Sequence, residues 1–327
     1  MGCPAVLRPR QQAKLARGPY LDLFERDWLP GHVSARTAQR YSELLKHVRT
    51  GIGGIAIQKL QPAHLKTLYA DLLRAGLAPR TVGHVHRVLH RALGEAKADR
   101  FVKDNVASGV KPPKVPATEI EILQPSEAKA ALDALQGKSL YLIAALGLAT
   151  GMRRNELLAL RWQDVDLEAA SLTVNLSLEY TKKHGLRSKA PKTKHGRRTI
   201  TLPSHIVTEL RAHWRAQQEQ RMALGIGKAP ADSQVLQTFD GKPRSPNAVT
   251  KEWTLAMTKA EMPQVTLHSL RHTHASMLIA SGMDILTISR RLGHASPTIT
   301  LAIYGHLIKG TDERAAAIMD AAFHRPA

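Results

Sequence analysis

The chain of 327 residues has little cysteine and no long apolar run. Its single cysteine, Cys3, excludes an intramolecular disulfide and a zinc site built from cysteines. The longest apolar stretch, Leu140 to Ala149, is far shorter than the roughly 18 residues that a membrane helix needs. The basic N-terminus lacks the continuous apolar segment of a secretory signal. These absences predict a soluble, cytoplasmic protein with no membrane partner.

Acidic residues are also scarce, and the resulting charge indicates the class of partner. The chain has 47 Lys and Arg against 27 Asp and Glu, a net charge of +20. Residues 1–115 carry +12 of it, spread along their length, as expected of a surface that follows phosphates. In the remainder, residues 182–198 hold eight basic residues and no acidic one. So much positive charge predicts a nucleic acid as the partner.

The sequence shows no internal repeat, and its length favours two domains. The first domain has helical patterns, predicted near Tyr20–Trp28, from Ser34 to about Val48, from Pro62 to Arg74, and from Pro79 to Ala98. In the last of these, apolar residues recur on one face and basic residues remain for another: Val82, Val85, Leu89 and Leu93, against Arg80, Arg87 and Arg91. The proline-rich segment Lys111–Pro116 predicts an extended linker.

The second domain mixes both kinds of element. Residues Ser171–Tyr180 alternate between apolar and polar, which predicts a strand, and Thr199–Leu202 predicts its partner across the basic segment. Helices are predicted around them, at 125–135, through Ala144, and at 204–224, 246–260, 268–281, 284–292 and 311–323.

Four short segments of the second domain contain residues suited to phosphate chemistry. They are Thr150–Glu156 (TGMRRNE), Pro191–Lys194 (PKTK), His268–Arg271 (HSLR), and Leu292–His294 (LGH) followed ten residues later by Tyr304. Each segment alone is weak, but their types and order resemble the catalytic domain of the tyrosine recombinases, the phage integrase family. The resemblance covers residues 124–310 strongly. It extends loosely over residues 18–108, which resemble the helical core-binding domain of that family.

The resemblance implies a two-domain fold, with an all-α N-terminal core-binding bundle and a mixed, mostly α catalytic domain containing a small antiparallel β-sheet. Its boundaries place a basic tail at 1–17, the helical core DNA-binding domain at 18–108 and a linker at 109–123. The catalytic domain then spans 124–327 and includes a tail helix at 311–323. Because only the tail precedes the helical domain, we expect no additional arm-binding module.

Two arginines match the positions that clamp the phosphate in the family, Arg153 and Arg271. Arginine is always charged and offers a planar fork of donors, which suits the oxygens of a phosphodiester that gain charge during attack. Glu156 matches a position that orients the first arginine, and a salt bridge between Arg153 and Glu156 is expected as well. Arg154 is expected to have a structural role.

The remaining site residues implied by the resemblance supply the nucleophile and its proton transfers. Tyr304 matches the nucleophile, His268 the general base or hydrogen-bonding residue, and His294 the sixth site residue, which contacts the phosphate. Lys192 matches the general acid that protonates the leaving 5′-oxygen, with Lys194 and Lys189 as alternatives. Many members carry Asp two residues before the tyrosine, where this chain has Ala302, and we expect a structural effect of that difference.

Sixteen histidines require that a metal site be considered. His84, His86 and His90 share one predicted helix, and His272 and His274 follow closely after Arg271, but neither group has a carboxylate or thiolate at ligand spacing. We expect these histidines to be solvated, to face DNA or to lie in the core. The predicted chemistry needs neither a metal nor a cofactor.

The resemblance implies a site-specific DNA recombinase or integrase that cuts and rejoins double-stranded DNA through a 3′-phosphotyrosyl intermediate. The alternatives are a type IB topoisomerase-like relaxing enzyme and a non-catalytic DNA-binding regulator. The implied assembly is a homotetramer on two DNA sites, with accessory directionality factors left open. The tail helix has a narrow apolar stripe, for which the resemblance favours docking on a neighbouring protomer over packing on its own domain.

Overall fold

In a computed structural model of the chain, residues 17–116, 121–191, 194–307 and 311–323 are described. The chain divides into two compact units. The first runs to residue 118 and also takes in Thr181–Lys183, and the second comprises the remaining residues.

The described part of the first unit is built from helices, whose starts follow the sequence signals. They are α1 (Arg17–Leu23), α2 (Leu29–His32), α3 (Ala35–Ile52), α4 (Pro62–Arg74) and α5 (Pro79–Ala98). The hydroxyl of Ser34 caps α3 by accepting a hydrogen bond from the backbone N–H of Thr37 at 3.3 Å. Pro62 and Pro79 begin α4 and α5, where a missing N–H leaves no helical bond unmade. The predicted helices α3, α4 and α5 are confirmed.

The segment Tyr20–Trp28, predicted as one helix, contains a π-helical turn at Phe24–Trp28. The rings of Phe24 and Trp28 stack with their centroids 4.9 Å apart, and Trp28 stacks on His32 at 4.4 Å. The chain therefore passes from α1 to α2 through a wider turn that the apolar pattern did not predict.

The core of the first unit lies along one face of α5. Its predicted stripe is buried: Val82, Val85, Leu89 and Leu93. The arginines predicted for another face are exposed: Arg80, Arg87 and Arg91. The helix is therefore divided between a core face and a basic face.

The described residues of the second unit form nine helices, a larger apolar core and a smaller apolar cluster that includes Tyr304. The helices are α6 (Pro125–Leu135), α7 (Tyr141–Thr150), α8 (Arg154–Leu157), α9 (Ser204–Ala223), α10 (Pro246–Lys259), α11 (Leu267–Ala280), α12 (Ile285–Leu292), α13 (Pro297–Tyr304) and α14 (Thr311–Phe323). The longest apolar run forms α7, which is buried on most sides and packs against α11. Among the residues described, no helix is both long and apolar enough to cross a membrane.

The strands of the second unit are β1 (Val165–Asp166), β2 (Ser171–Val174), β3 (Ser177–Thr181), β4 (Gly185–Lys189) and β5 (Arg198–Thr201). One antiparallel sheet has the order β1-β2-β5, with Leu172 opposite Ile200 and Val174 opposite Arg198. A second sheet pairs β3 with β4. The prediction of one strand over Ser171–Tyr180 is therefore wrong, because this segment supplies strands to two different sheets.

The break between β2 and β3 falls at Asn175. Its side-chain amide donates to Asp164 Oδ1 at 2.8 Å, and its side-chain oxygen accepts from Arg197 Nε at 2.8 Å. These bonds fix the chain where it leaves the first sheet. Alternation of polar and apolar residues continues across the break, so the pattern gave no sign of it.

The region before Tyr304 contains a helix that the sequence reading did not include. Helix α13 begins after Ser296, whose hydroxyl accepts from the backbone N–H of Thr298 at 3.2 Å, and Pro297 occupies its first position. Tyr304 is the last residue of this helix. Helix α14 follows, as predicted, over Thr311–Phe323.

Candidate active site

The site is built around two helix ends that glycine terminates. Helix α7 ends at Gly151 and helix α12 at Gly293, with φ of +64° and +68°. This left-handed conformation is unfavourable for a residue with a Cβ atom. A Cβ at Gly151 would also lie 2.7 Å from His274 Cδ2, and one at Gly293 would lie 2.8 Å from Arg198 Nη1. Close packing as well as backbone conformation therefore requires glycine in the TGMRRNE and LGH segments.

Each of these glycines also holds one of the predicted clamp arginines. Arg271 Nη1 donates to the carbonyl of Gly151 at 2.7 Å. Arg153 Nη2 donates to the carbonyl of Gly293 at 3.3 Å. Helix C-termini have carbonyls without helical partners and partial negative charge, so both contacts are favourable to a cation. Residues far apart in the sequence are thus brought to one place.

Arg271 is nearly inaccessible, with 2% of its surface exposed. Burial, together with the positive charge of Arg153, lowers its pKa to about 9. Within the described part of the chain, its buried Nη2 atom has no hydrogen-bond partner. A buried donor on a cation is costly unless it is paired. The contact that would satisfy it is an anionic oxygen.

Glu156 lies between two arginines. Its Oε1 accepts from Arg153 Nη1 at 2.7 Å, and its Oε2 accepts from Arg198 Nη2 at 2.9 Å. The backbone N–H of Arg153 also donates to Oε2 at 3.0 Å, which fixes the start of α8. Burial alone would raise the pKa of this carboxyl, but the charges and hydrogen bonds of Arg198 and Arg153 hold the pKa below its ordinary value. The salt bridge expected between Arg153 and Glu156 is confirmed.

Arg198 differs from the other members of the basic segment. The sequence analysis counted it among the eight basic residues of 182–198 that predict a nucleic-acid partner, but its side chain is only 6% exposed. Besides Glu156 it donates to the carbonyls of Arg291 and Gly196, at 2.6 and 3.1 Å. It occupies an inward position of β5, where alternate residues are buried. Arg198 therefore supports the site from within the protein.

Tyr304 is buried, with 2% of its surface exposed, and packs against Ala275, Ile279, Ile288 and Leu292 of α11 and α12. Burial raises the pKa of its hydroxyl to about 12, although the positive charge of Arg271 acts in the opposite direction. The hydroxyl is therefore protonated at neutral pH.

The hydrogen-bond partner of this hydroxyl is His272 Nδ1, at 2.7 Å. The sequence reading grouped His272 with His274 and gave neither a role at the nucleophile. The two side chains have different partners, since His274 Nδ1 bonds with the carbonyl of Leu148 at 2.7 Å. A signal was available in the sequence: His272 stands four residues after His268 and hence on the same helix face.

His268 and His294 lie among the same charges. The His268 ring is exposed and meets the His272 ring edge-on, with centroids 4.8 Å apart. Desolvation and the positive charge of Arg271 lower the pKa of His268, and the same two causes lower the pKa of His294 to about 4. His294 Nδ1 bonds with Thr300 Oγ1 at 2.8 Å. Both rings are therefore uncharged at neutral pH and able to donate or accept hydrogen bonds.

The predicted general acid, Lys192, lies outside the described residues, and the side chain of its alternative Lys194 is not described either. The other alternative, Lys189, forms an ion pair with Glu179 of β3. Arg154, expected to be structural, donates to Thr250 Oγ1 at 2.5 Å. The site thus brings together Arg153, Arg271, His268, His294 and Tyr304, while the position of Lys192 stays a prediction.

Two of the three histidines on α5 make ordinary protein contacts. His86 Nδ1 bonds with the Tyr69 hydroxyl at 2.9 Å, and His90 Nε2 with the Ser108 hydroxyl at 3.2 Å. In the part of the chain that is described, no three histidine, cysteine or carboxylate residues gather as metal ligands would.

Comparisons with known proteins identify the family of the chain. Residues 121–310 match the phage integrase family. The chain is 27% identical to a tyrosine recombinase XerC-like protein of Caldanaerobacter subterraneus over 78% of its own length and 69% of that protein. It is 29% identical to an integrase of Streptomyces ambofaciens, over 91% and 79% of the two chains.

Solved structures share the fold. The Tn1549 transposon integrase, in complex with a circular intermediate DNA, superposes with a TM-score of 0.75 at 20% identity, over 94% of this chain and 99% of that one. A lambda integrase tetramer bound to a Holliday junction gives 0.66 at 17% identity, over 91% and 83%. With the family match covering more than half of its length, the chain belongs to the phage integrase family and is a tyrosine-type site-specific DNA recombinase.

Proposed function

We propose that Tyr304 cuts a DNA strand by attacking a phosphodiester held by Arg153 and Arg271. The observation that carries this assignment is the buried Arg271 guanidinium, whose Nη2 has no hydrogen-bond partner among the described residues and which lies within electrostatic range of Arg153 and Tyr304. Charge on the non-bridging oxygens grows during attack, and fixed donors in a water-poor site stabilise it strongly. His268 and His294 supply further hydrogen bonds to the same phosphate.

The proposed reaction conserves the energy of the broken bond. Tyr304 Oη bonds to phosphorus and the bond from phosphorus to the 5′-oxygen breaks, which leaves a 3′-phosphotyrosyl ester and a 5′-hydroxyl. Lys192 provides the proton for the departing oxygen, since a free alkoxide is a poor leaving group. The 5′-hydroxyl of a partner strand then attacks the ester, releases Tyr304 and joins the new strand.

The nucleophile is tested by Tyr304→Phe, which removes only a hydroxyl. The variant should bind duplex DNA like the wild type and form no covalent protein–DNA adduct on a denaturing gel. Ala302→Ser is a matched control on the same helix. Adduct formation by Tyr304→Phe would refute the assignment. An exchange assay with two sites separates recombination from relaxation alone, and adduct formation separates both from a non-catalytic regulator.

The acid is tested with DNA whose bridging 5′-oxygen is replaced by sulfur, a much better leaving group. Lys192→Ala should cleave this substrate well and ordinary DNA poorly. Equal impairment on both substrates would mean that Lys192 only contacts phosphate, and Lys194 would then be the next candidate.

We also propose double-stranded DNA as the substrate, a homotetramer on two DNA sites as the active assembly, and the cytoplasm as its location. Recombination of two duplexes needs four cuts, and each chain supplies one Tyr304. The tail helix α14 supports assembly, because its apolar side chains are largely exposed: Ile318 at 58%, Met319 at 55% and Phe323 at 76%. Docking on a neighbouring protomer would cover them. Accessory directionality factors remain an open part of the proposal.

The assembly is tested by deleting residues 311–327. The truncated protein should bind a single site normally and lose cooperative tetramer formation and strand exchange. A second variant, Phe323→Ser with Met319→Ser, keeps the whole chain and removes only two exposed apolar side chains of α14. Normal tetramers and normal recombination in both variants would refute docking.

A further inference from the structure

The hydroxyl of Tyr304 makes its hydrogen bond with a residue outside the set that the four sequence segments supplied. His272 lies one helical turn after His268 on α11, and its Nδ1 atom is 2.7 Å from Tyr304 Oη. The hydroxyl is buried and protonated, so it needs an acceptor. Nδ1 provides one when the ring carries its single proton on Nε2.

The surroundings of His272 keep it in this neutral form. On α11 it faces the ring of His268 and follows Arg271, on α13 it faces Tyr304, and His294 from the turn after α12 lies within electrostatic range. Burial, then electrostatic interaction with His268 and Arg271, lowers the pKa of His272 to about 4. At neutral pH its Nδ1 lone pair is therefore free to accept a proton.

We propose that His272 is a further catalytic residue, which takes the proton of Tyr304 as the hydroxyl attacks phosphorus. The proposal rests on Tyr304 being the nucleophile. The bond between Oη and its hydrogen breaks as Nδ1 binds that proton, while Oη bonds to phosphorus and the 5′-oxygen leaves with a proton from the acid.

Bound DNA strengthens this base. A phosphodiester brings one negative charge beside Arg271 and Arg153, which offsets the positive charges that disfavour protonation of His272. The imidazolium formed during attack then lies next to an anion. Proton transfer from Tyr304 is accordingly favoured only when the phosphate is in place.

His268, the residue matched to the base position, has a different environment. Its exposed ring touches the ring of His272, while the described hydrogen bond of Tyr304 Oη is with His272. His268 is therefore placed to contact the phosphate and to orient His272. The two roles that the sequence analysis gave as alternatives for His268, general base and hydrogen-bonding residue, are thereby assigned to two different histidines.

The experiment compares His272→Asn with the wild type in single-turnover adduct formation on a nicked DNA substrate. An asparagine oxygen occupies roughly the position of Nδ1 and accepts the same hydrogen bond, but it is not a base at neutral pH. Loss of a general base typically slows a reaction by about 10²–10⁴-fold, and we expect a loss in that range. The wild-type rate should rise with pH through a single acidic limb, and the limb should be absent in His272→Asn.

Two further measurements keep the result interpretable. Duplex binding and the melting temperature should match the wild type in His272→Asn, and added imidazole should restore adduct formation by His272→Ala but not by His268→Ala. A wild-type rate and an unchanged acidic limb in His272→Asn would overturn the proposal, because the residue would then only position the hydroxyl. That outcome leaves the proposed function intact as long as Tyr304→Phe forms no adduct.

Discussion

Arg153 and Arg271 occupy equivalent places in the site but are held in different ways. Each donates to the carbonyl of a left-handed glycine at a helix end. Arg153 is 39% exposed and has a carboxylate partner in Glu156. Arg271 is 2% exposed, and the partner given by its described hydrogen bond is a neutral carbonyl. One arginine therefore belongs to an ion-pair network within the protein, whereas the other is a buried charge with no carboxylate among its described hydrogen-bond partners.

The largest expected effect is a loss of stability in Glu156→Gln, which breaks the ion pairs of Glu156 with Arg153 and Arg198. The substitution leaves Arg198 buried beside a neutral side chain, and breaking a buried ion pair from one side costs about 3–5 kcal/mol. Thermal or urea unfolding should show this loss at neutral pH. Glu179→Gln, which breaks the ion pair between Glu179 of β3 and Lys189 of β4, is the control and should cost less, because Lys189 is more exposed than Arg198.

The difference in stability between the wild type and Glu156→Gln should depend on pH, and the pKa of Glu156 defines the sign of that dependence. The ion pairs hold the pKa of Glu156 below its ordinary value of 4.5, so the folded state favours the charged form. The stabilisation is present above pH 4.5 and is lost as pH falls through the lowered pKa. The difference between wild type and Glu156→Gln should therefore shrink in acid. A difference that grows as pH falls would show that the ion pairs are not its source.

The second expected effect is on cleavage, in Arg271→Met. Removing a donor to the developing charge costs about 3–4 kcal/mol of barrier, a loss of 10²–10³-fold in single-turnover cleavage. The melting temperature should stay near that of the wild type, because burial disfavours the charge that is removed. Arg153→Met should lose similar activity and also melt lower. A large drop in melting temperature in Arg271→Met but not in Arg153→Met would contradict this prediction, because Arg271 would then be the arginine that stabilises the fold.

The smallest expected loss of stability and of cleavage rate comes from replacing Gly293, whose carbonyl accepts a hydrogen bond from Arg153. Gly293→Ala places a Cβ in a left-handed conformation, at about 1–2 kcal/mol, and also against Arg198. Gly185→Ala is the matched control, since its φ is +64° and a Cβ there has open space around it. Gly293→Ala should unfold more easily than Gly185→Ala and cleave DNA more slowly. Equal stability and normal cleavage in the two variants would show that packing at Gly293 is unimportant.

Prediction from the sequence succeeded where the signal is local. The stripe on α5, the cap at Ser34 and the helix starts at Pro62 and Pro79 depend on neighbours in the chain, and the structure confirms them. It failed for the strand over Ser171–Tyr180, because Asn175 ends β2 through bonds to residues outside that strand. Local periodicity contains no information about such partners.

The amino-acid sequence by itself determined the basic character of the chain, its two kinds of secondary structure and the order of the segments that identify its family. These follow from composition, spacing and residue chemistry. Tertiary structure decided which charged residues face inward and which histidine contacts Tyr304. Arg198 is one of eight basic residues in its segment, and only the pairing of β5 with β2 turns it toward Glu156. His272 reaches Tyr304 only because α11 packs beside α12 and α13, and such packing depends on contacts between residues remote in the chain.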